Sequence, residues 1–207
     1  MTGSTASTSQ DDIIQQEILK AAIRLYQKFG PNGFTMDDLA GATGRSRTSL
    51  YYYYKNRDEI YQAVMDKIAR DMAAEIRRAV AAVETLRDKI YTFCDTKLKA
   101  SEEWKKVFSA MMGSMDAEEQ SKHTKVMYSW HKKLIHHESV ILNEILADAT
   151  RRREIRAIPP GDQDTLVFLI YSGIRGFRRE IFELNDPHDL KAALELLTDM
   201  VVKWLKN

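Results

Sequence analysis

Three side chains suited to DNA binding recur at a helical spacing early in the chain. Arg47, Tyr51 and Lys55 lie four residues apart, so a helix would bring them to one side. The surrounding segment from Arg45 to Arg57 contains four lysines or arginines, four consecutive tyrosines and no acidic residue. Cationic side chains bind phosphates, and arginine also binds the guanine edge in the major groove. The pattern therefore predicts a surface that contacts duplex DNA, although tyrosines in a small domain also serve as core residues.

Two short helices joined by a tight turn are predicted to position this surface. Thr35, followed three residues later by Asp38, is typical of a capping box and begins the first helix. Gly44 lies where the backbone must turn sharply, because glycine adopts positive φ without strain. In the second helix, which begins near residue 46, Leu50 and Tyr54 form the inner side and leave the cationic side exposed.

A longer helix is predicted to follow, from about Arg57 to about Val83. Asn56 and Glu59 form a second capping box at its start. Arg57 then lies in the first turn, where free backbone N–H groups and the helix dipole favour an anion. We therefore expect a DNA phosphate to bind beside Arg57.

The segment from Phe34 to Glu59 resembles the N-terminal domain of the TetR (tetracycline-repressor) family of transcriptional regulators. The matching stretches are FTMDDLA, ATG and SRTSLYYYYKNRDE, in that order, and the resemblance extends over about residues 12–65. It implies an all-helical homodimer with a three-helix DNA-binding domain and a larger domain that binds a ligand and dimerises. It also implies that a small molecule releases the protein from its operator.

The same resemblance implies roles for individual residues. Bases are expected to be read by Arg47, Thr48 and Tyr51. Phosphates are expected to lie at or near Thr35, Ser49, Tyr52, Tyr53, Lys55 and Arg57. Two residues depart from the usual family pattern: Arg45 replaces an apolar turn residue, and Thr48 stands where a small residue is common. The first suggests a less tightly packed turn with an extra cation, and the second leaves the operator sequence unpredictable from relatives.

Composition and charge favour an all-α protein with two unequal domains. The chain has 207 residues and a formal net charge of +1, so a nucleic-acid role must rest on a local patch. Residues 1–57 carry seven Lys or Arg against five Asp or Glu, a net of +2, and the remainder carries 24 against 25, a net of −1. We predict about nine helices, arranged as a disordered arm (1–10), a helix-turn-helix domain (11–57) and a ligand-binding and dimerisation domain (58–207).

Capping residues predict several helix boundaries in the larger domain. Ser101 is expected to cap a helix of its own, and Asp116 with Glu119 to begin the next one. A further helix is predicted from about Asp164 to Leu184, and the last helix from Pro187.

Aromatic and methionine side chains of the larger domain could line an effector pocket. Methionine adapts to varied apolar shapes, and a few polar groups suffice to orient an apolar or aromatic ligand. Ordinary core packing explains each residue equally well. The predicted lining residues are Lys97, Trp104, Phe108, Met111, Met112, Met127, Trp130, His131, Phe168 and Tyr171. Among them, Lys97, His131 and Tyr171 would supply the polar contacts.

The helix that begins near Asp164 is apolar on most of its circumference, so more than one of its sides must be buried. One side is expected to face its own domain and another a second subunit, with Gly173 and Gly176 permitting a close approach. The predicted dimer interface comprises Gly173, Gly176, Phe177, Ile181, Leu197 and Val201.

Catalysis, metal binding and cofactor binding are not expected. The five histidines include no pair four residues apart, and Cys94 has no neighbouring histidine. Neither a phosphate loop nor a nucleophile elbow occurs. The run from Arg151 to Arg153 is interpreted as a solvated helix end in preference to a second nucleic-acid patch.

The resulting hypothesis is a homodimeric repressor that a small effector releases from DNA. We expect a bacterial cytoplasmic protein, associated with the nucleoid when DNA is bound, because no apolar run approaches a membrane span and no signal peptide is recognisable. Two alternatives remain open: a transcriptional activator, and a helical sensor that binds a protein partner without a small ligand.

Overall fold

The computed structural model describes residues 10–30, 33–112, 117–184 and 187–207. Within these ranges it describes all side chains except those of residues 106–123. Within these ranges the chain forms eight α-helices and no strand, which confirms the predicted all-α class. Their bounds are α1 Gln10–Phe29, α2 Met36–Thr43, α3 Arg47–Tyr53, α4 Arg57–Ala81, α5 Leu86–Met112, α6 Ala117–Arg151, α7 Pro160–Phe177 and α8 Leu190–Lys206. A π-helical segment, Arg178–Glu183, extends α7.

The predicted caps of α2 and α3 are confirmed. The Thr35 hydroxyl accepts a hydrogen bond from the Asp38 N–H (3.2 Å), and the Asp38 carboxylate accepts one from the Thr35 N–H (2.7 Å). Gly44 ends α2 at φ 65°, where its N–H donates to the last carbonyls of the helix. The Ser46 hydroxyl then accepts from the Ser49 N–H (3.1 Å) and begins α3. These short-range contacts fix the turn between the two helices.

Other boundaries differ from the predictions. Helix α5 continues through Ser101, so the predicted break there is wrong. The described residues contain eight α-helices and one π-helical segment, in line with the expected number of about nine. The sequence of α5 contains neither glycine nor proline, and a serine inside a helix costs too little to end it. Helix α8 begins at Leu190, after the predicted start at Pro187, because the Asp189 side chain caps it by accepting from the Lys191 N–H (2.8 Å).

Helix α7 also begins earlier than predicted, because Pro160 occupies its first turn, where a missing N–H costs nothing.

The predicted capping residue Asp116 lies outside the described residues, as does nearly all of the predicted disordered arm. Arg151 and Arg152 are exposed and contact Asp148 at 3.2 and 3.1 Å, which supports the solvated helix end.

The chain divides into two compact units. Unit 1 combines Met1–Ile68 with Trp104–His131, and unit 2 combines Ala69–Glu103 with Lys132–Asn207. The first division therefore falls inside α4, C-terminal to the boundary suggested after residue 57. In unit 1, Tyr26 and Phe34 stack edge-to-face at 4.8 Å, and Leu39 and Leu50 are fully buried.

Unit 2 has its own apolar core, to which the second half of α4 and helices α5 to α8 contribute. Its most buried members include Ile76, Ile90, Phe93, Leu142, Ile170, Leu194 and Leu205. No helix in the described part of the chain is long and apolar enough to cross a membrane.

Candidate nucleic-acid interface

Helix α3 is anchored on one side and open on the other. Leu50 is completely buried and Tyr54, at the C-cap, is 8% exposed, as the sequence predicts. Arg47, Thr48 and Tyr51 are consequently exposed on the other side of the helix, and Tyr52 is 77% exposed. We call the exposed side chains Arg47, Thr48, Tyr51, Tyr52 and Lys55 the recognition face.

The guanidinium of Arg47 contacts two neighbouring side chains. Its Nη1 lies 3.1 Å from Asp37 Oδ2, and its Nη2 donates to the Tyr51 hydroxyl at 3.3 Å. The guanidinium carbon also lies 5.5 Å from the centroid of the Tyr51 ring. Two of the three predicted base-reading side chains, Arg47 and Tyr51, therefore form one group, with the guanidinium exposed and charged.

Acidic residues from α1 and α2 border this cationic surface, which sequence reasoning missed. Asp37 contacts Arg47, Glu17 contacts Arg45 at 2.7 Å, and Asp11 accepts a hydrogen bond from the Tyr53 hydroxyl at 2.8 Å. That hydrogen bond raises the pKa of Tyr53. The ring of Tyr53 is half-buried and stacks edge-to-face on Tyr52 at 4.9 Å. Arg45 is thus tied to α1 by an ion pair.

The residues around the start of α4 also form hydrogen bonds and a ring contact within the domain. The Asn56 side chain accepts from the Glu59 N–H (2.9 Å), and the Glu59 carboxylate accepts from the Lys55 N–H (2.7 Å), one residue before the predicted position. The Arg57 guanidinium lies 5.4 Å from the centroid of the buried Phe34 ring, so it packs on the domain core. The Lys55 side chain is exposed.

Two predicted phosphate contacts have less freedom than Lys55. The Thr35 hydroxyl donates to Asp38 Oδ2 (2.7 Å) in addition to accepting its capping bond. Hydrogen bonds from the Thr35 N–H and from the Thr35 hydroxyl lower the pKa of the Asp38 carboxyl. Ser49 is half-buried, and its N–H is bound to Ser46. The predicted phosphate roles of Thr35 and Ser49 stay predictions.

The predicted effector-pocket residues fall into both units. Lys97 and Tyr171 are buried in unit 2, whereas Trp104, Met127, Trp130 and His131 belong to unit 1. Phe168 is 62% exposed. The side chains of Phe108, Met111 and Met112 lie outside the described ones.

Within unit 2 the structure adds a residue that the sequence analysis did not select. Glu138 is fully buried, and its Oε2 lies 2.5 Å from Lys97 Nζ. Burial raises the pKa of Glu138, and the charge of Lys97 opposes that shift. A signal was available, because Leu134, Ile141 and Ile145 place position 138 on the apolar side of α6.

The predicted dimer residues lie mostly against their own chain. A Cβ atom on Gly173 would come within 3.3 Å of Leu197 Cδ2, so Gly173 lets α7 and α8 of the same chain approach. Val201 is 7% exposed and belongs to the core of unit 2, while Phe177 and Ile181 are half-buried and Gly176 is exposed. The same two helices expose other large apolar side chains: Phe168, Leu169, Leu196, Met200 and Trp204.

Comparison with known proteins identifies the N-terminal segment. Residues 18–64 match the family model of bacterial regulatory proteins of the tetR family. The chain is 36% identical over 73 residues to the HTH-type transcriptional regulator YvaF of Bacillus subtilis, which covers 35% of this chain and 37% of that one. It is 23% identical over 141 residues to the HTH-type transcriptional regulator BetI of Brucella anthropi, covering 68% of this chain and 73% of the regulator.

Most of the chain has a fold similar to that of a solved regulator. FadR of Bacillus subtilis, solved in complex with stearoyl-CoA, superposes with a TM-score of 0.55 at 16% identity, over 90% of this chain and 97% of that one. At this identity the likeness establishes the fold alone. Residues 18–64 are thus a helix-turn-helix segment of the tetR family of bacterial regulatory proteins, carried on a chain whose fold resembles that of solved regulators.

Proposed function

We propose that this regulator is a repressor that binds a near-palindromic operator as a homodimer and leaves it when a small, largely apolar effector binds. The observation that carries the proposal is the orientation of α3. Leu50 and Tyr54 bury one side of this helix, which leaves Arg47, Thr48 and Tyr51 exposed together. A helix presented in this way fits the major groove, where arginine binds guanine and apolar atoms contact the thymine methyl group.

Phosphate contacts would surround the base-reading residues. Lys55 is exposed at the end of α3, and Arg57 begins α4, where the helix dipole adds to the attraction for an anion. Tyr52 and Tyr53 carry hydroxyls that can donate to phosphate oxygens, and Tyr53 would exchange Asp11 for a phosphate. The acidic neighbours of this surface would oppose loose binding to DNA of any sequence, because phosphates repel carboxylates at short range.

We propose that two copies associate through the exposed apolar side chains of α7 and α8. Leu196, Met200 and Trp204 recur every four residues and form one stripe along α8. A second copy of the chain buries this stripe symmetrically and gives the dimer needed to read two half-sites. Replacing Met200 by glutamate should therefore produce monomers in sedimentation velocity. Lys191→Glu, on the opposite side of α8, serves as the matched control, and a dimer that survives Met200→Glu would move the interface elsewhere.

An effector in unit 2 would act through a coupling of about 1–3 kcal/mol between effector and DNA binding. Helix α4 contributes residues to both units, so a shift of this helix is the simplest route for the coupling. FadR, whose fold is similar, was solved with stearoyl-CoA, which supports a largely apolar effector here. The cytoplasm is the compartment in which such a regulator would meet both DNA and effector.

Selection from a random duplex library by the full-length protein tests the proposal. We expect enrichment of an inverted repeat whose half-sites lie about one helical turn apart, roughly 34–36 Å. A library from which no sequence is enriched would contradict operator binding. Enrichment of single half-sites without symmetry would contradict the dimer but not DNA recognition.

A further inference from the structure

A buried polar cluster in unit 2 joins three helices. Lys97 of α5 and Glu138 of α6 form an ion pair at 2.5 Å, and Lys97 Nζ lies 5.1 Å from the centroid of the Tyr171 ring of α7. The ring of Phe93 packs edge-to-face on Tyr171 at 6.2 Å, and Cys94 is almost completely buried nearby along α5. We call Lys97, Glu138 and Tyr171 the polar anchor.

Two atoms of the polar anchor lack a hydrogen-bond partner among the described residues. They are Glu138 Oε1 and the Tyr171 hydroxyl, and both are buried. Protein interiors rarely retain such groups, because a buried polar atom without a partner destabilises the fold. An apolar residue in place of Tyr171 would remove this cost, whereas a ligand that supplies a hydrogen-bond partner would offset it.

We propose that the polar anchor binds the hydroxyl group of a neutral, otherwise apolar effector. A hydroxyl can donate to Glu138 Oε1 and accept from the Tyr171 hydroxyl, which satisfies both atoms at once. The apolar body of the ligand would lie against the surrounding core, which includes Phe93, whose ring packs on that of Tyr171. That this ligand regulates DNA binding rests on the function proposed above, whereas its binding does not.

Charge defines which head group the polar anchor accepts. Lys97 already neutralises Glu138, so a neutral ligand leaves the buried charge balanced. A carboxylate would bring a second anion next to Glu138, and an ammonium group would leave two cations beside one carboxylate. Either arrangement is costly where water is excluded.

Calorimetric titration of the full-length protein with eight-carbon probes tests the head-group preference. We expect 1-octanol to bind about three- to tenfold more tightly than 2-octanone, which cannot donate to Glu138. Octanoate should bind more weakly than either. Equal affinity for the alcohol and the ketone, tighter binding of octanoate, or no binding of 1-octanol would each overturn the proposal.

The variant Tyr171→Phe tests the site itself, with Tyr91→Phe as the matched control on α5 in the same unit. Tyr171→Phe should reduce the affinity for 1-octanol about three- to tenfold and leave the melting temperature unchanged or higher, because it removes a buried hydroxyl without a partner. Tyr91→Phe should leave the 1-octanol affinity unchanged. A lower melting temperature with unaltered 1-octanol affinity would assign Tyr171 a purely structural role and overturn the proposal.

DNA affinity measured without 1-octanol separates this inference from the proposed function. Tyr171→Phe should bind duplex DNA as tightly as the unmodified protein. If neither protein binds DNA while 1-octanol binding depends on Tyr171, the ligand site stands and the repressor function fails.

Discussion

The recognition face and the polar anchor each combine a cation, a carboxylate and a tyrosine, but in opposite surroundings. Arg47 and Asp37 lie 3.1 Å apart with 56% and 67% of their side chains exposed, and Arg47 also reaches Tyr51. Lys97 and Glu138 lie 2.5 Å apart with 11% and 0% exposed, beneath the ring of Tyr171. Water therefore competes for every contact in the first group and for almost none in the second.

This difference determines what each group can do. An exposed ion pair is weak, so Arg47 can exchange Asp37 for a base or a phosphate at little cost. A buried ion pair cannot release one partner without leaving an uncompensated charge, so the polar anchor must keep its pair intact and add a ligand to it. The exposed group is suited to exchange, and the buried one to selection of a neutral partner.

The largest expected effect tests the buried ion pair between Lys97 and Glu138. Glu138→Ala leaves Lys97 buried without its carboxylate and should lower the free energy of unfolding by about 3–5 kcal/mol. Asp37→Ala, the matched control at the exposed pair, should change the denaturation midpoint very little. Urea denaturation followed by circular dichroism measures both, and equal losses would show that burial does not separate the two groups.

The next largest effect tests the exposed side chain of Arg47. Arg47→Ala should weaken binding to the selected operator by roughly ten- to a hundredfold and relax the preference at one base position. It should leave the stability of the protein unchanged, because its side chain lies outside the core. Repeating the duplex selection with the variant measures the preference, and an identical consensus would exclude Arg47 from base reading.

A smaller effect is expected for the carboxylate beside Arg47. Asp37→Asn removes a charge that repels phosphates and competes for the guanidinium, so binding to random-sequence DNA should tighten by about two- to fivefold. The ratio between operator and random-sequence affinity should fall accordingly. Competition titrations give this ratio, and a rise in it would mean that Asp37 does not restrain Arg47.

The smallest effect concerns the phosphate contacts. Lys55→Ala should weaken binding to all duplexes alike and reduce the salt slope by about one unit per subunit. Lys191→Ala, at an exposed lysine on α8 in unit 2, is the matched control. Loss of operator binding alone would indicate that Lys55 reads sequence.

Local chemistry explains which features the sequence predicted. Thr35, Gly44 and Ser46 determine α2, the turn and α3 through contacts within a few residues, and the structure confirms each of them. The helix break predicted at Ser101 was wrong because a serine inside an apolar helical pattern does not end a helix.

Long-range pairings could not be predicted in the same way. Lys97 and Glu138 are 41 residues apart and meet only because α5 and α6 pack together. Glu17 of α1 and Asp37 of α2 form ion pairs with Arg45 and Arg47. The segment from Arg45 to Arg57 contains no acidic residue, but in the folded chain carboxylates from other helices lie beside it.

The salt dependence of binding to the selected operator tests the central claim most directly. Two copies of Lys55 and Arg57 supply four cations, so the slope of log K against log salt concentration should be about −3.6 or steeper. A slope near zero, or no binding to any duplex at low ionic strength, would contradict the assignment of this surface to DNA.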